Sequence, residues 1–310
     1  MPQADEDGQW APADTVAVAA ALRRGGVAVD PADVEILPRD DRFAARLPGE
    51  RMAWFPQNAE GLARLRRERA ALGAIAAAEA FAAPRVLHEA PEGWDLRALV
   101  AGPCDPNAIY DRVVADADFA RRLGGQMGAL LARQHALPTA TLVGLLPPRP
   151  SWPIGVDYAA ARLPQVTNDP AVLRRALAVL EAYEAAEAAV TERVLVHADF
   201  GFHNLVVEPD TGRLIGVFDY DGAAVSQRAH DFKYMLLDVH DEALLDAALA
   251  AYEPAAGITL DRARIRLLNA ASAVTFLAHR AGSGPDERPA GRTLAEDLAW
   301  TDLALTRAGF

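Results

Sequence analysis

The segment Val194–Gly222, VLVHADFGFHNLVVEPDTGRLIGVFDYDG, decides how the rest of the chain is read. Two apolar runs, LVVE from Leu205 and RLIGVFD from Arg213, flank the turn sequence Pro209-Asp210-Thr211-Gly212. That pattern predicts an antiparallel hairpin with strands about 4.8 Å apart and Asp210 as a turn residue. Pairing brings Asn204 and Asp219, at the two open ends, to nearly the same level. An oxygen from each can reach one hard cation. Magnesium suits carboxylate and amide oxygens and keeps waters or phosphates in its other positions. Asp199 lies five residues before Asn204, in a stretch too polar and glycine-interrupted for a strand. A carboxylate there can accept a proton from a hydroxyl beside the same metal. A competing reading makes His197, His203 and Asp199 zinc ligands. It needs three ligands from one seven-residue loop, and no HxH or HExxH motif supports it.

The totals exclude several classes. The chain has 310 residues, 51% hydrophobic and 24% charged, which is ordinary globular usage and enough for a large core. No charge-free apolar run of 18 residues predicts a membrane span. The acidic start MPQADEDGQW has neither the basic nor the apolar region of a secretory signal. Cys104 is the single cysteine, so no intrachain disulfide and no multi-cysteine metal site can form. A cytoplasmic enzyme is the expectation. The net charge of -12 opposes nucleic-acid binding and favours a cationic small molecule only weakly. The expected partner is a small-molecule substrate, with no nucleic acid and no membrane, and the expected state is a monomer or homodimer. Lys233 is the only lysine.

Patterning divides the chain into a loose tail over 1–13, a small lobe over 14–101 and a larger lobe over 102–310. In the small lobe TVAVAAALRRGG predicts a helix stopped by Gly25 and Gly26. DVEILP, RFAARL, RMAWFP, PRVLHE and WDLRALV read as strands. Between the third and fourth runs a long helix is predicted, with Asn58 as N-cap and Leu62, Leu65, Leu72 and Ile75 on its apolar face. Beyond Val100 the pattern is mainly helical around the one hairpin, with a GSGPDERPAG loop near residue 285. No repeat of 20–50 residues is present.

HADFGFHN fits H-x-D-x-x-x-x-N, the catalytic-loop pattern of protein kinases and small-molecule kinases, and VFDYDG fits the metal-binding aspartate that follows. In this form the segment resembles the aminoglycoside phosphotransferase-like family, with Ala198 where glycine is commoner. The resemblance covers nearly the whole chain. It implies an α+β, two-lobed protein-kinase-like fold and transfer of the γ-phosphate of ATP or GTP, with Mg2+, to a hydroxyl of a small molecule. An aminoglycoside- or macrolide-type antibiotic is the leading acceptor. A metabolite kinase for choline, homoserine or a sugar, and a degenerate nucleotide-binding pseudokinase, are the alternatives.

Carried onto this chain, the resemblance implies that Asp199 is the catalytic base and that His197 orients the loop. Asn204 and Asp219 are the implied magnesium ligands, and Asp231 braces the loop. His135 is structural, and the backbone of Ala98, Leu99 and Val100 meets the adenine. Asp221, His203, Asp157, Asp238 and Glu242 are candidates to meet the substrate. Kinases also need a cation on the third strand, paired with a helix glutamate, to hold the phosphates. Glu68 fits the glutamate, but the strand position is Trp54, which reads as core packing. No lysine is available in this lobe, and Arg46 and Arg51 are the expected substitutes.

Overall fold

The computed structural model describes residues 14–239, 242–284, 287–288 and 291–310. The expected tail over 1–13 and part of the loop near 285 lie outside the described residues.

Helix α1 (Thr15–Arg24) starts where the Asp14 carboxylate accepts the Ala17 N–H. Strands β1 (Glu35–Pro38), β2 (Arg42–Leu47) and β3 (Arg51–Pro56) precede helix α2 (Ala59–Ala77), and β4 (Arg85–Glu89) and β5 (Asp95–Ala98) follow it. They form one antiparallel sheet in the order β1-β2-β3-β5-β4. Side chains alternate between the faces of a strand. Phe43, Ala45, Ala53, Phe55 and Leu96 therefore share one face, where they pack with Val18 and Leu22 of α1 and with Trp94. Arg42, Ala44, Trp54, Asp95 and Arg97 fall on the other face, the one α2 covers. Asn58 caps α2 by accepting the Gly61 N–H at 2.8 Å, and Leu65, Leu72 and Ile75 are buried as the periodicity requires.

The remainder is mainly helical. Helices α3 (Pro106–Ala115), α4 (Ala117–His135), α5 (Val156–Arg162) and α6 (Pro170–Ala188) lead into the short strands. These are β6 (Val194–Val196), β7 (Leu205–Glu208), β8 (Arg213–Val217) and β9 (Ala224–Ser226). Helices α7 (Ala229–Phe232), α8 (Tyr234–Leu237), α9 (Ala243–Ala256), α10 (Arg262–His279) and α11 (Leu294–Arg307) complete it. Aspartates 105, 116, 169 and 261 cap α3, α4, α6 and α10, each satisfying N–H groups the helix cannot pair itself. A Cβ on Gly124 or Gly128 would fall 2.5 or 2.0 Å from backbone oxygens of α9, so these glycines let α4 and α9 touch.

The hairpin forms as the opening segment predicts. β7 pairs β8 with Leu205 opposite Val217, and the Phe218 N–H donates to the Asn204 carbonyl at 3.1 Å. β6 pairs β9 in turn, which closes residues 197–199 against 219–223. The Val225 N–H donates to the Pro147 carbonyl, drawing the proline-rich segment 143–152 to the same place. The architecture is the two-lobed protein-kinase-like α+β fold: an N-terminal antiparallel sheet with its helices and a larger helical C-terminal part.

Candidate active site

The turn after β6 is held in an unusual backbone state. Ala198 has φ +71°, the left-handed region that costs a residue with a Cβ about 1–2 kcal/mol. That is why glycine is the easier residue there. Buried Asp231 holds the turn in place. Its Oδ1 accepts the Ala198 N–H at 2.7 Å, and its Oδ2 accepts the His197 N–H at 3.1 Å and Gln134 Nε2 at 2.9 Å. His135 Nε2 lies 3.0 Å from the same Oδ2, with its Nδ1 on the Tyr252 hydroxyl. Burial raises the Asp231 carboxyl, but these donors, His135 foremost, outweigh it and hold it below its ordinary range. From the other side Lys233 Nζ donates to the Ala198 and Trp152 carbonyls. This lysine is fully buried, and desolvation lowers it to about 8.

His197 has both ring nitrogens committed within the loop. Nε2 donates to the Phe218 carbonyl at 2.8 Å, and Nδ1 accepts the Asp199 N–H at 3.2 Å. The ring also packs on Tyr220, with centroids 4.4 Å apart. His197 thus ties the loop to the strand end that carries Asp219. It has no lone pair left for zinc, and among the described residues no group of three or more His, Cys, Asp or Glu side chains could hold a metal ion.

Asp199 is half-buried and surrounded by donors. His203 Nε2 lies 3.2 Å from Oδ2, and Asn204 Nδ2 donates to Oδ2 at 3.1 Å and to the Asp199 carbonyl at 2.9 Å. Burial alone would raise Asp199; the His203 bond and the His203 charge, foremost, push it well below the usual carboxylate range. His203 moves the other way. Burial lowers it, but the bond to Asp199 and the charges of Asp199, Asp238 and Asp219 raise it. Asn204 spends its amide nitrogen on Asp199, which leaves Oδ1 as its remaining donor atom for a cation. Asp219 lines the same cleft with φ +63°, a state aspartate tolerates better than most residues. Tyr234 was not among the residues the sequence singled out. Its spacing carries no signal, since only the fold of α7 and α8 brings it to the cleft that Asp199 lines.

Glu68 does have a cationic partner, but neither of those expected. Arg97 on β5 donates to Glu68 at 2.7 Å and makes a two-pronged contact with Asp95 at 2.8 and 3.0 Å. All three are buried, at 2%, 4% and 0% exposure. Arg46 is 57% exposed and pairs with Glu35 across β1, while Arg51 donates to the Pro48 carbonyl. The physical reason is register. Arg97 sits opposite Met52, on the same face as Trp54, whereas Arg51 falls on the face that α1 covers; Arg46 shares the Arg97 face but is out toward Glu35 of β1. Trp54 lies between two guanidinium groups, Arg42 at 5.0 Å and Arg97 at 5.7 Å from its ring centre.

Asp221 lines the cleft with its carboxylate already paired. It is bound by arginines of the sheet lobe: Arg42 donates at 3.2 and 2.9 Å, and Arg64 of α2 through Nε at 2.9 Å and through a second close contact. Arg64 holds Asp41 as well, at 2.8 Å. These contacts pull Asp221 below its ordinary pKa against the opposing effect of burial, and they join the two lobes beside Asp219.

A cleft of about 1340 Å³ opens in front of this loop. Its lining includes Asp199, Asp219, Asp221, Tyr234, Arg64 and segment 143–152. Four of the five expected substrate contacts are absent from that lining, among them His203, whose ring sits on Asp199. Asp157 is exposed in the first turn of α5, Glu242 is held by Arg266 at 3.0 and 2.7 Å, and Asp238 accepts the Phe202 N–H at 2.8 Å. Burial raises Asp238 to about 7. In the hinge, Ala98 ends β5 and the Leu99 N–H is taken by the Glu50 carbonyl at 2.8 Å. The Val100 N–H carries no such bond among the described residues.

The fold is shared with the GDP complex of aminoglycoside 2'-phosphotransferase-IIIa, at TM-score 0.67 and 15% identity over 94% of this chain and 97% of that one. It is shared with the streptomycin–ATP ternary complex of APH(2")-IIa, at TM-score 0.59 and 13% identity over 97% and 100%. The apoenzyme of a macrolide 2'-phosphotransferase from Brachybacterium faecium follows at TM-score 0.59 and 18% identity over 96% and 98%. No curated protein matches the chain. The model of the phosphotransferase enzyme family, APH, matches residues 17–268, and the chain belongs to that family.

Proposed function

We propose that the chain transfers the γ-phosphoryl group of ATP or GTP to a hydroxyl of a small molecule. The observation that carries this reading is the state of Asp199. His203 and Asn204 fix a carboxylate, kept ionised at neutral pH, in a cleft that Asp219 also lines. Asp199 orients the acceptor hydroxyl and takes its proton as the new P–O bond forms. His197 and Asp231 keep the loop in register for that contact. The donor atoms fit magnesium: an amide oxygen of Asn204 and the carboxylate of Asp219 are hard oxygen ligands that leave room for phosphate. Bound there, magnesium would neutralise charge on the transferring phosphoryl group.

Glu68 and Arg97 form the buried pair that a lysine and glutamate form in other kinases. Arg97 is buried between two carboxylates and does not line the cleft, whereas Arg64, bound to Asp221 and Asp41, does line it and is a sheet-lobe guanidinium placed to meet the phosphates. The acceptor classes suggested by the relatives are aminoglycosides and macrolides. Trp54 at the lysine position favours one second reading, a chain that binds nucleotide without transferring phosphate.

Thermal shift with ATP and with GTP, each with and without magnesium, tests the proposal together with phosphate-transfer screening across hydroxyl acceptors. A nucleotide-plus-magnesium shift is expected, largely lost in Asp219→Ala. Asp199→Ala keeps the shift and loses transfer. A shift that Asp219→Ala leaves intact would sink the metal assignment, and a shift without transfer to any acceptor would favour the second reading.

A further inference from the structure

If the cleft transfers phosphate as proposed above, its outer wall faces the acceptor, and that wall has the wrong chemistry for a polycation. It is built from segment 143–152. Val143 and Leu145 stand 60% and 59% exposed, and they line the cleft together with Pro147, Pro148 and Trp152. Large apolar side chains left in water beside a catalytic loop offer a surface for an apolar ligand body.

Two arginines flank this wall. Pro147 is tied to β9 through the Val225 N–H, and Val225 pairs with Leu195 of β6. Arg149 lies two residues after Pro147, and Arg193 lies two residues before Leu195. Both line the cleft. The Arg193 guanidinium donates to the Val190 and Glu192 carbonyls, and neither arginine forms an ion pair among the described residues. Every carboxylate in the lining is already committed. Glu60 pairs with Arg67, Asp221 with Arg42 and Arg64, and Asp199 with His203, while Asp219 is the proposed metal ligand. The uncompensated charge on the acceptor side is therefore positive, in a chain whose net charge is -12.

We propose that the acceptor is a hydroxyl compound with an apolar body and an anionic group, a carboxylate or a phosphate, received by Arg149 and Arg193. Guanidinium groups suit both anions, because their paired N–H donors match two oxygens at once. A polycationic amino sugar would meet two unpaired arginines and an apolar face, with no free carboxylate to receive its amines.

Calorimetric titration with four probes tests this: 8-hydroxyoctanoate, 8-hydroxyoctyl phosphate, the methyl ester of the first, and kanamycin. At least one anion is expected to bind about tenfold or more tightly than the ester, with the preference shrinking as salt rises. The double variant Arg149→Gln/Arg193→Gln should erase that preference. Equal binding of ester and anions, no detectable binding of either anion, tighter binding of kanamycin, or a preference that survives in the double variant would each overturn the proposal. Anion binding that stands while nucleotide and magnesium give no thermal shift would mark failure of the phosphotransfer reading alone.

Discussion

Replacing Asp231 by asparagine changes almost nothing in shape and removes the charge on which the catalytic turn hangs. Four donors converge on the carboxylate: the His197 and Ala198 N–H groups, Gln134 Nε2 and His135 Nε2. An asparagine offers one acceptor oxygen. Its best orientation keeps that oxygen toward the three donors now on Oδ2 and turns its NH2 toward Ala198. One buried N–H then loses its acceptor and faces another donor, a loss of about 1–3 kcal/mol. The three retained bonds fall from charge-assisted to neutral, each weaker by roughly 0.5–1 kcal/mol. Relief from burying a charge offsets part of this, and about 3 kcal/mol of net destabilisation remains, or roughly 5–10 °C in melting temperature.

The sign of the pH dependence follows from the depressed Asp231 pKa. The carboxylate contributes stability above its unfolded pKa, and that contribution is lost as pH falls through the folded value. The gap between the unaltered chain and Asp231→Asn should therefore narrow in acid. Because Asp231 holds Ala198 at positive φ, the variant should also let Asp199 drift, and a misplacement of about 1 Å can cost about 100-fold in turnover. Urea unfolding at neutral and acid pH, with turnover on whichever acceptor the screen identifies, reads both effects. A variant within 1 kcal/mol of the unaltered chain, by the same urea scale, would refute the bracket as the support of the turn.

Other outcomes follow from the same geometry. Arg97→Met leaves Glu68 and Asp95 buried without their cation and should cost about 3–5 kcal/mol, whereas Arg46→Ala and Arg51→Ala should each stay within about 0.5 kcal/mol by denaturant unfolding. Comparable losses at all three would discredit the assignment of Arg97. Ala198→Gly removes the left-handed strain but adds freedom to the unfolded chain; the balance should be a gain of up to about 1 kcal/mol, and a clear loss would mean that φ is not the controlling factor. Lys233 has a depressed folded pKa, so the penalty for its burial is relieved as pH rises from about 8 toward its unfolded value. Stability of the unaltered chain relative to Lys233→Met, followed between pH 8 and pH 10, should rise. A flat difference would show that Lys233 keeps an ordinary pKa in the folded protein.

The sequence by itself determined whatever depends on neighbours along the chain. Alternation marked the strands, Asn58 and the apolar spacing marked α2, and the turn Pro209–Gly212 fixed a hairpin whose ends carry Asn204 and Asp219. His197, Asp199 and Asn204 were legible because they lie within eight residues and act through one loop. The tertiary structure decided whatever depends on approach across the chain. Arg97 reaches Glu68 because β5 pairs with β3, a register no local spacing encodes. Asp221 lines the cleft with its charge already met, because Arg42 and Arg64, more than 150 residues earlier, arrive beside it. Asp157, Asp238 and Glu242 looked available for a cationic substrate, but helix packing leaves all three out of the cleft lining. Lys233, polar and lone in the sequence, is fully buried because two backbone carbonyls of the catalytic region point into the core and need a donor there.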